Sequence, residues 1–175
     1  MDYILETKRL FLREMTDEDF SSLKKVIGDP ENMVYYAKPY DDEGVQRWID
    51  WCKDSYKKNG FGLWAVILKE TGEMIGDCGI SMQPINGGSL PEIGYHLRKD
   101  YHRQGIGKEM TRAVRDYFFE HFDFDEVYSY MEEDNLPSYK TAEANGMTFR
   151  NMYKNGNYGM CRVYSITREE WKKIK

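Results

Sequence analysis

The stretch YHRQGIGKEM, residues 101–110, decides the fold of this chain. Gly105 and Gly107 stand at the predicted start of a long helix, where each glycine costs roughly 0.5–1 kcal/mol relative to alanine. A helix N-terminus carries unpaired N–H groups and partial positive charge, and glycine lets a ligand approach them closely. The pattern therefore predicts a site for an anion, most simply a pyrophosphate, with Arg103 and Lys108 adding positive charge.

Neither of two common phosphate-binding motifs describes this stretch. The pattern GxxxxGK[ST] is absent, and the dinucleotide pattern GxGxxG or GxGxxA fails because Met110 occupies its third small position. What remains is a short strand, then [H/R/Q]-x-x-G-x-G, then a long helix. Taken alone, this pattern also fits a strand-to-helix turn that needs glycine only for its geometry.

A second stretch, EEDNLPSYKTAEANGM (132–147), makes the interpretation specific. YHRQGIGKEM resembles the acetyl-CoA pyrophosphate loop of the GNAT N-acetyltransferases, and NLPSYKTAEANGM resembles their second signature, N-x-x-S-x-x-x-x-E-x-x-G-F. Met147 stands where phenylalanine is usual. This signature and the strand IGYHL are typical of the branch that holds the Rim-type ribosomal-protein N-terminal acetyltransferases. Four positions of the signature fall in register: Asn135, Ser138, Glu143 and Gly146.

The order of predicted elements is β-α-α-β-β-β-α-β-α-β-β, followed by a last helix. This order predicts an α+β protein with a twisted mixed sheet and helices on both faces. It also resembles the GNAT (acyl-CoA N-acyltransferase) fold across nearly the whole chain, as one domain over residues 1–175. Hydrophobic patterning predicts a buried strand at 61–69, a return strand at 74–82, a loop at 86–91 and a strand at 92–97.

Composition excludes several classes of function. The chain has 175 residues and a net charge of −5, which disfavours general affinity for nucleic acid or anionic membranes. No apolar run approaches the roughly 18 residues of a membrane span, and MDYILETKRL does not resemble a signal peptide. Three widely spaced cysteines favour reduced thiols, and no metal-ligand spacing joins them to the histidines. We therefore expect a cytoplasmic protein without a metal site.

The resemblance implies acetyl-CoA as the cofactor and direct transfer of its acetyl group to a primary amine in a ternary complex. The acceptor would be a protein N-terminus or a small amine such as a polyamine, an amino acid or an aminoglycoside. Family members often form homodimers, so a homodimer is implied as well. Two other classes stay open at this point: a non-catalytic acyl-CoA-binding module, and a nucleotide-binding regulator that uses the same loop.

The resemblance also assigns cofactor contacts. Two neighbouring parallel strands should separate, and the pantetheine arm should enter the gap along the main chain of Leu97 and Arg98. Asn135 would contact the arm, or cap the following helix, or both, since Asn caps helices well. Lys140 would meet a CoA phosphate, or be a solvated helix lysine. The pyrophosphate would lie on six residues of the loop: Arg103, Gln104, Gly105, Ile106, Gly107 and Lys108.

Glu92 is the predicted general base, because it begins the strand that leads to the glycine loop. Its alternative interpretation is a solvated residue at a strand end. Asp77 on the neighbouring strand is a second candidate, with an exposed hairpin carboxylate as its alternative, and a water relay is a third route. By the resemblance, Ser138 would bind the sulfur of CoA and help to protonate it, unless it only meets local backbone. Ala142 stands where many family members have a tyrosine acid, so Tyr139 is considered instead.

Aromatic residues make up 15% of the chain, and most of them are expected in the core. The core prediction includes Trp48, Trp51 and Trp64. A loop with three tyrosines precedes the second helix, in the region that lines the acceptor site in the family: Tyr35, Tyr36 and Tyr40. The acidic run 41–43 would attract a cationic acceptor, or simply begin that helix, since acidic residues favour a helix N-terminus.

Overall fold

The computed structural model describes residues 2–175; Met1, the first residue of the predicted domain, lies outside them. Short 3-10 turns precede the first helix and the glycine loop. The remaining strands and helices follow one another in this order: β1 (Leu5–Glu6), β2 (Leu10–Arg13), α1 (Phe20–Ile27), α2 (Asp42–Asn59), β3 (Leu63–Leu68), β4 (Met74–Ile85), β5 (Gly88–Leu97), α3 (Ile106–His121), β6 (Glu126–Glu132), α4 (Leu136–Ala144), β7 (Thr148–Asn155), β8 (Gly159–Thr167) and α5 (Arg168–Ile174).

All eight strands of the described chain form one mixed sheet. Their spatial order is β1-β2-β3-β4-β5-β6-β8-β7. The four neighbouring pairs from β1 to β5 are antiparallel, and so are β6 with β8 and β8 with β7, whereas β5 and β6 run parallel. The two strands of the parallel pair are connected by α3, which is the crossover that parallel strands require. The predicted α+β class with a mixed sheet is confirmed.

Each face of the sheet carries its own hydrophobic core, because successive side chains of a strand point to opposite faces. In β3, Trp64 and Val66 pack into the core beneath α3, α4 and α5, which also holds Met110 and Phe118. The alternate residues of β3 pack instead with α1 and α2, in the second core. Helices therefore cover both faces, as the sequence predicts.

The prediction of a loop at 86–91 is wrong for the residues that follow Gly87. Asn86 and Gly87 form a two-residue turn with φ of 52° and 81°, and β5 begins directly after it. Two positive φ angles in sequence are typical of the hairpin turns that Asn-Gly favours. β4 and β5 consequently pair without interruption from Ile85 opposite Gly88 to Gly76 opposite Leu97. The strands are longer than hydrophobic patterning alone indicates.

Candidate active site

The parallel strands β5 and β6 separate after a single paired position. Within residues 2–175, Glu92 opposite Tyr128 is the one pair that joins them. β5 then continues to Leu97 and β6 to Glu132 without pairing, apart from a 3.4 Å hydrogen bond that the Ser129 hydroxyl donates to the Ile93 carbonyl. The predicted gap between two parallel strands is therefore present, and it is narrowest at Glu92.

The glycine loop presents unpaired main-chain amides. Among the hydrogen bonds of residues 2–175, none is donated by the main-chain N–H groups of residues 103–108. The first amide with a partner is that of Glu109, which donates to the Gly105 carbonyl at 3.1 Å. Gly105 precedes α3 with a φ of +76°, and Arg103 has a φ of 60°. Consecutive free N–H groups at the start of a 16-residue helix are suited to an anionic group, so the pyrophosphate site stays a prediction.

The N-terminal segment of the chain holds this loop in place. Glu109 accepts hydrogen bonds from the Thr7 hydroxyl at 2.6 Å, the Arg9 amide at 2.9 Å and Arg9 Nε at 2.7 Å. Arg9 Nη1 in turn donates to the Gln104 carbonyl at 2.8 Å. A surface hollow beside the loop carries two exposed cationic side chains, Lys108 and Arg112.

Main-chain hydrogen bonds at the end of β5 decide which of the two predicted pantetheine contacts, Leu97 or Arg98, is available to a ligand. The Arg98 amide donates to the Ile75 carbonyl of β4 at 2.9 Å, so it faces away from the gap. Its guanidinium is held by Glu73 and Asp100. Because main-chain groups alternate along a strand, Leu97 faces the gap, although its carbonyl lies 2.7 Å from His102 Nε2. The Arg98 amide is thus already bonded within the protein, whereas Leu97 stays a predicted contact.

A cavity of about 350 Å³ opens at the gap. It brings together side chains from α2, β4, β5, β6, α4 and the segments around Tyr35 and Tyr158. Both predicted catalytic residues and one predicted cofactor residue line it: Glu92, Ser138 and Asn135. The sheet thus brings Glu92 together with Asn135 and Ser138, more than forty residues further along the chain, around one cavity.

Glu92 is buried, with 8% of its surface exposed, so the alternative of a solvated strand-end residue is wrong. Burial raises the pKa of its carboxyl group to about 8. The Ser81 hydroxyl, 3.4 Å from Oε2, offsets this rise only in part. A carboxyl group with a pKa near neutrality in a cavity is suited to proton transfer.

Asn135 and Ser138 sit at the start of α4. Asn135 Oδ1 accepts a hydrogen bond from the Ser138 amide at 3.2 Å, which confirms the predicted helix cap. Both side chains also line the cavity, so a cap and a ligand contact are compatible here. Lys140 is exposed and pairs with Glu143 at 2.9 Å, as the alternative of a solvated helix lysine expects.

Tyr95 is a cavity residue that the sequence prediction treated only as main chain. Burial raises its pKa, and the nearby hydroxyl groups of Thr141 and Ser138 offset this rise in part. The alternation of side chains along the strand EIGYHL could have identified Tyr95, because it places this side chain on the sheet face opposite to Glu92. Ala142 is buried in the core, and Tyr139 stacks on Tyr164 with ring centroids 6.3 Å apart.

Asp77 is fully buried, so the alternative of an exposed hairpin carboxylate is wrong. Its Oδ2 accepts a hydrogen bond from Trp48 Nε1 at 2.8 Å. Its Oδ1 lies 2.9 Å from both the main-chain nitrogen and Nδ1 of His96. The sequence prediction considered His96 only as a metal ligand, whereas its ring lines the cavity.

Aromatic rings form the wall of the cavity on the α2 side. All three tyrosines of the predicted acceptor loop line it, and so do Trp48 and Trp51. The core prediction is confirmed for Trp64, which is 2% exposed, and is wrong for Trp51, which is 38% exposed. Asp41 caps α2 by accepting a hydrogen bond from the Gly44 amide at 2.8 Å, so the acidic run begins the helix.

Residues 2–175 contain neither a membrane-spanning helix nor a cluster of metal-ligating side chains. No helix there combines the length and the apolar composition needed to cross a bilayer. In the same part of the chain, no three His, Cys, Asp or Glu side chains meet in an arrangement that could hold a metal ion.

Comparison with known proteins agrees with this geometry. A family model described as an acetyltransferase (GNAT) domain matches residues 9–148. The uncharacterized N-acetyltransferase p20 of Bacillus licheniformis is 33% identical over 138 residues, which cover 78% of this chain and 77% of that protein. A solved acetyltransferase from Agrobacterium tumefaciens str. C58 is 27% identical, with a TM-score of 0.80 and 94% of both chains covered.

The structural neighbours also include a Rim-type enzyme. RimL, a ribosomal L7/L12 α-N-protein acetyltransferase solved in complex with coenzyme A, has a TM-score of 0.78 at 18% identity. The match covers 95% of this chain and 98% of that one, and shows a shared fold. Since the family model spans most of the sequence, this chain belongs to the GNAT acetyltransferase family and is an N-acetyltransferase of a family that uses acetyl-CoA.

Proposed function

We propose that the protein transfers an acetyl group from acetyl-CoA directly to a primary amine that enters the cavity at the β5–β6 gap. One observation carries this proposal: Glu92 of β5 and Ser138 of α4 line the same cavity where the two parallel strands separate. All the residues involved lie on one sheet and its helices, in keeping with the single domain predicted for residues 1–175.

The residues present fit acetyl-CoA. The free amides of residues 103–108 would hold its pyrophosphate, and Gly105 and Gly107 leave room for a close approach. The main chain of Leu97 and the side chain of Asn135 would hold its pantetheine arm in the gap. When bound there, acetyl-CoA supplies an acetyl group activated as a thioester.

Glu92 takes the proton from the attacking amine, directly or through one water molecule. At pH 7, deprotonating a lysine-like amine costs roughly 4 kcal/mol, whereas an α-amino group costs only about 1.4 kcal/mol. With its pKa raised by burial to about 8, Glu92 is matched to an amine of that weaker kind. The buried base therefore favours acceptors whose amine is less basic than that of a lysine side chain.

Two hydrogen-bond donors complete the arrangement. A main-chain N–H of β5 on the gap side would polarise the acetyl carbonyl, a contact typically worth about 3–4 kcal/mol in the transition state. The Ser138 hydroxyl would donate to the leaving sulfur, and the neighbouring Tyr95 hydroxyl supports its orientation. Because Ala142 offers no phenol, Ser138 and Tyr95 are the hydroxyl groups proposed to act on the α4 side of the cavity, whereas the Ser129 hydroxyl, which also lines it, donates to the Ile93 carbonyl.

The acceptor is proposed as an amine, either of a small molecule or of a protein N-terminus. The net charge of −5 suits a cationic acceptor. Burial raises the pKa of the Cys78 and Cys161 thiols, and the third free cysteine, Cys52, is also buried, which supports the cytoplasmic location expected for reduced thiols. The homodimer implied by the family resemblance stays a prediction.

Thiol release from acetyl-CoA with a panel of amines tests the proposal. Glu92→Gln and Ser138→Ala should each lower kcat/KM by about 10–100-fold, while exposed controls, Glu133→Gln and Ser21→Ala, should keep the wild-type value. Calorimetry should detect CoA binding in every variant. Heat from CoA without turnover of any amine would point instead to a non-catalytic acyl-CoA-binding module, and competition by ATP as strong as by CoA to a nucleotide-binding regulator.

A further inference from the structure

His96 has a ring nitrogen that the protein leaves without a partner. The residue is 8% exposed and its ring lines the cavity. Its Nε2 is buried and has no hydrogen-bond partner among residues 2–175. A buried polar atom left unpaired costs about 1–3 kcal/mol, so such an atom calls for a specific reason. Its position on the cavity wall points to a ligand.

Asp77 determines which nitrogen of His96 faces the cavity. The Asp77 carboxylate accepts hydrogen bonds from Trp48 Nε1 at 2.8 Å and from the His96 amide at 2.9 Å. Because Asp77 accepts both of these hydrogen bonds, we assign it the acceptor role toward Nδ1 of His96 as well, which lies 2.9 Å from its Oδ1. Nε2, on the other edge of the ring, is then the nitrogen left for a ligand, since it has no partner among residues 2–175.

The strand β5 contributes no side chain of its own between Glu92 and His96, because the residue between them on this face is a glycine. Gly94 lies between them on the same face, and a Cβ there would lie 3.0 Å from Glu92 Oε2. The Glu92 carboxylate is therefore directed along the strand toward His96. The strand forms a floor with one polar group at each end, and the Glu92 carboxyl group and Leu63 Cδ2, which lies 3.6 Å from that Cβ position, cover Gly94 between them.

Flat rings enclose this floor. The ring centroids of Tyr36 and Trp48 lie 5.2 and 5.4 Å from that of His96. The ring wall continues from Trp48 to Tyr40 at 5.5 Å and from Tyr36 to Tyr158 at 6.1 Å. Such walls suit a compact apolar or aromatic body rather than an extended polar chain.

We propose that His96 recognises the acceptor: its Nε2 accepts a hydrogen bond from a hydroxyl or N–H group that a compact amine carries at the end opposite to its reacting nitrogen. The acceptor lies in the cavity, with its amine at Glu92 and its apolar or aromatic body between the rings. Asp77 acts through His96 and is a positioning residue. This inference rests on the proposed acetyl transfer to an amine.

Matched pairs of amines test the inference: tyramine against 2-phenylethylamine, and 5-aminopentan-1-ol against pentylamine. In thiol-release assays the hydroxyl-bearing member of each pair should have a kcat/KM about tenfold higher with the wild-type protein, mainly through KM. His96→Phe should reduce this ratio to about one, and His96→Gln, whose side-chain oxygen can accept a hydrogen bond, should restore part of it. Asp77→Asn should also reduce the ratio. Exposed His121→Phe is the matched control and should keep it.

A merely structural role of His96 would lower turnover of both members alike and leave the ratio intact, which would overturn the inference. Equal use of both members by the wild-type protein would overturn it too. Acetylation of an N-terminal tetrapeptide with none of the four amines would overturn it while leaving the proposed function standing. Binding of CoA without turnover of any of these acceptors would remove the proposed function, and this inference with it.

Discussion

Glu92 pairs with Tyr128, and beyond this pair β5 and β6 separate. The proposed base therefore lies at the closed end of a wedge whose open side leads along Leu97 to the glycine loop before α3. A ligand anchored by its phosphates at the loop and extended along the gap would place its far end beside the buried carboxyl group. The position of Glu92 relative to the predicted cofactor site is thus set by the point at which the pairing of β5 with β6 ends.

The pH dependence of transfer should report the ionisation of Glu92. Because burial raises the pKa of this carboxyl group to about 8, most of it is protonated at pH 7 and cannot accept a proton. The ratio of wild-type to Glu92→Gln kcat/KM should therefore rise from pH 6 to about 8 and level off above pH 9. Taking the ratio cancels the titration of the amine itself.

Steady-state thiol release with one amine across this range measures that ratio. An amine with a pKa above about 10 keeps the acceptor contribution equal in both proteins. A ratio that does not change with pH would show that Glu92 does not carry the proton, and would favour a water relay that depends on another group.

Burial of Glu92 should also lower the free energy of unfolding at pH values where its carboxyl group ionises. Its folded pKa of about 8 lies above its ordinary value of 4.5, so the folded protein holds this proton more tightly than the unfolded chain. The stability contributed by the protonated form is fully present below about pH 4.5 and is lost as pH rises through 8. The free energy of unfolding of Glu92→Gln, relative to that of the wild type, should therefore increase by about 2–4 kcal/mol from pH 5 to pH 9.

Urea unfolding of both proteins at pH 5 and pH 9 measures this difference. Exposed Glu133→Gln serves as the control and should follow the wild type at both values. If the difference in free energy of unfolding between Glu92→Gln and the wild type were the same at pH 5 and pH 9, the carboxyl group would be ionised at little cost in the folded protein.

Local patterns were sufficient to predict most of the fold. The helix that follows Gly105 and the cap formed by Asn135 depend on residues within one or two turns, which sequence spacing records directly. The same holds for the two motifs of the predicted cofactor site. The separation of β5 from β6 came from the family resemblance and not from any local pattern.

The acceptor side of the site depends on pairing between distant residues. Asp77, His96 and Trp48 meet because β4 and β5 pair in one register and α2 packs on that face. The Asn86-Gly87 turn fixes this register, and reading it as a loop concealed that Asp77 stands opposite His96. Burial of Glu92 and exposure of Trp51 likewise follow from packing between elements, which alternation along one segment does not record.

Arg9 should support cofactor binding from outside the cavity. Its guanidinium joins Glu109 of α3 to the Gln104 carbonyl of the loop. Since 38% of the Arg9 side chain is exposed, we expect a modest effect: Arg9→Ala should weaken CoA binding by about threefold, or roughly 0.7 kcal/mol. Calorimetry with CoA measures it, with Lys172→Ala, which breaks an exposed ion pair on α5, as the control. Unchanged affinity for CoA would show that the loop keeps its shape without the hydrogen bonds from Arg9.

The two glycines of the loop should respond differently to alanine, because they serve different needs. Gly105 has a φ of +76°, a conformation that costs a residue with a side chain roughly 1–2 kcal/mol, so Gly105→Ala should lower both stability and CoA affinity. Gly107 lies in the first turn of α3, and a Cβ there would meet the Tyr95 ring at an ordinary 4.0 Å. Alanine favours a helix by roughly 0.5–1 kcal/mol over glycine, so Gly107→Ala should fold at least as stably as the wild type.

Gly107→Ala should nevertheless weaken CoA binding by about tenfold, because its methyl group would lie beside the free amides and Tyr95, between the loop and the cavity. Thermal unfolding and calorimetry with CoA on both variants separate the two effects. Lower stability of Gly107→Ala would mean that this glycine is needed for the turn alone. Wild-type CoA affinity in the same variant would show that no ligand approaches the helix at this point, and would remove the close-approach argument from which the cofactor site was inferred.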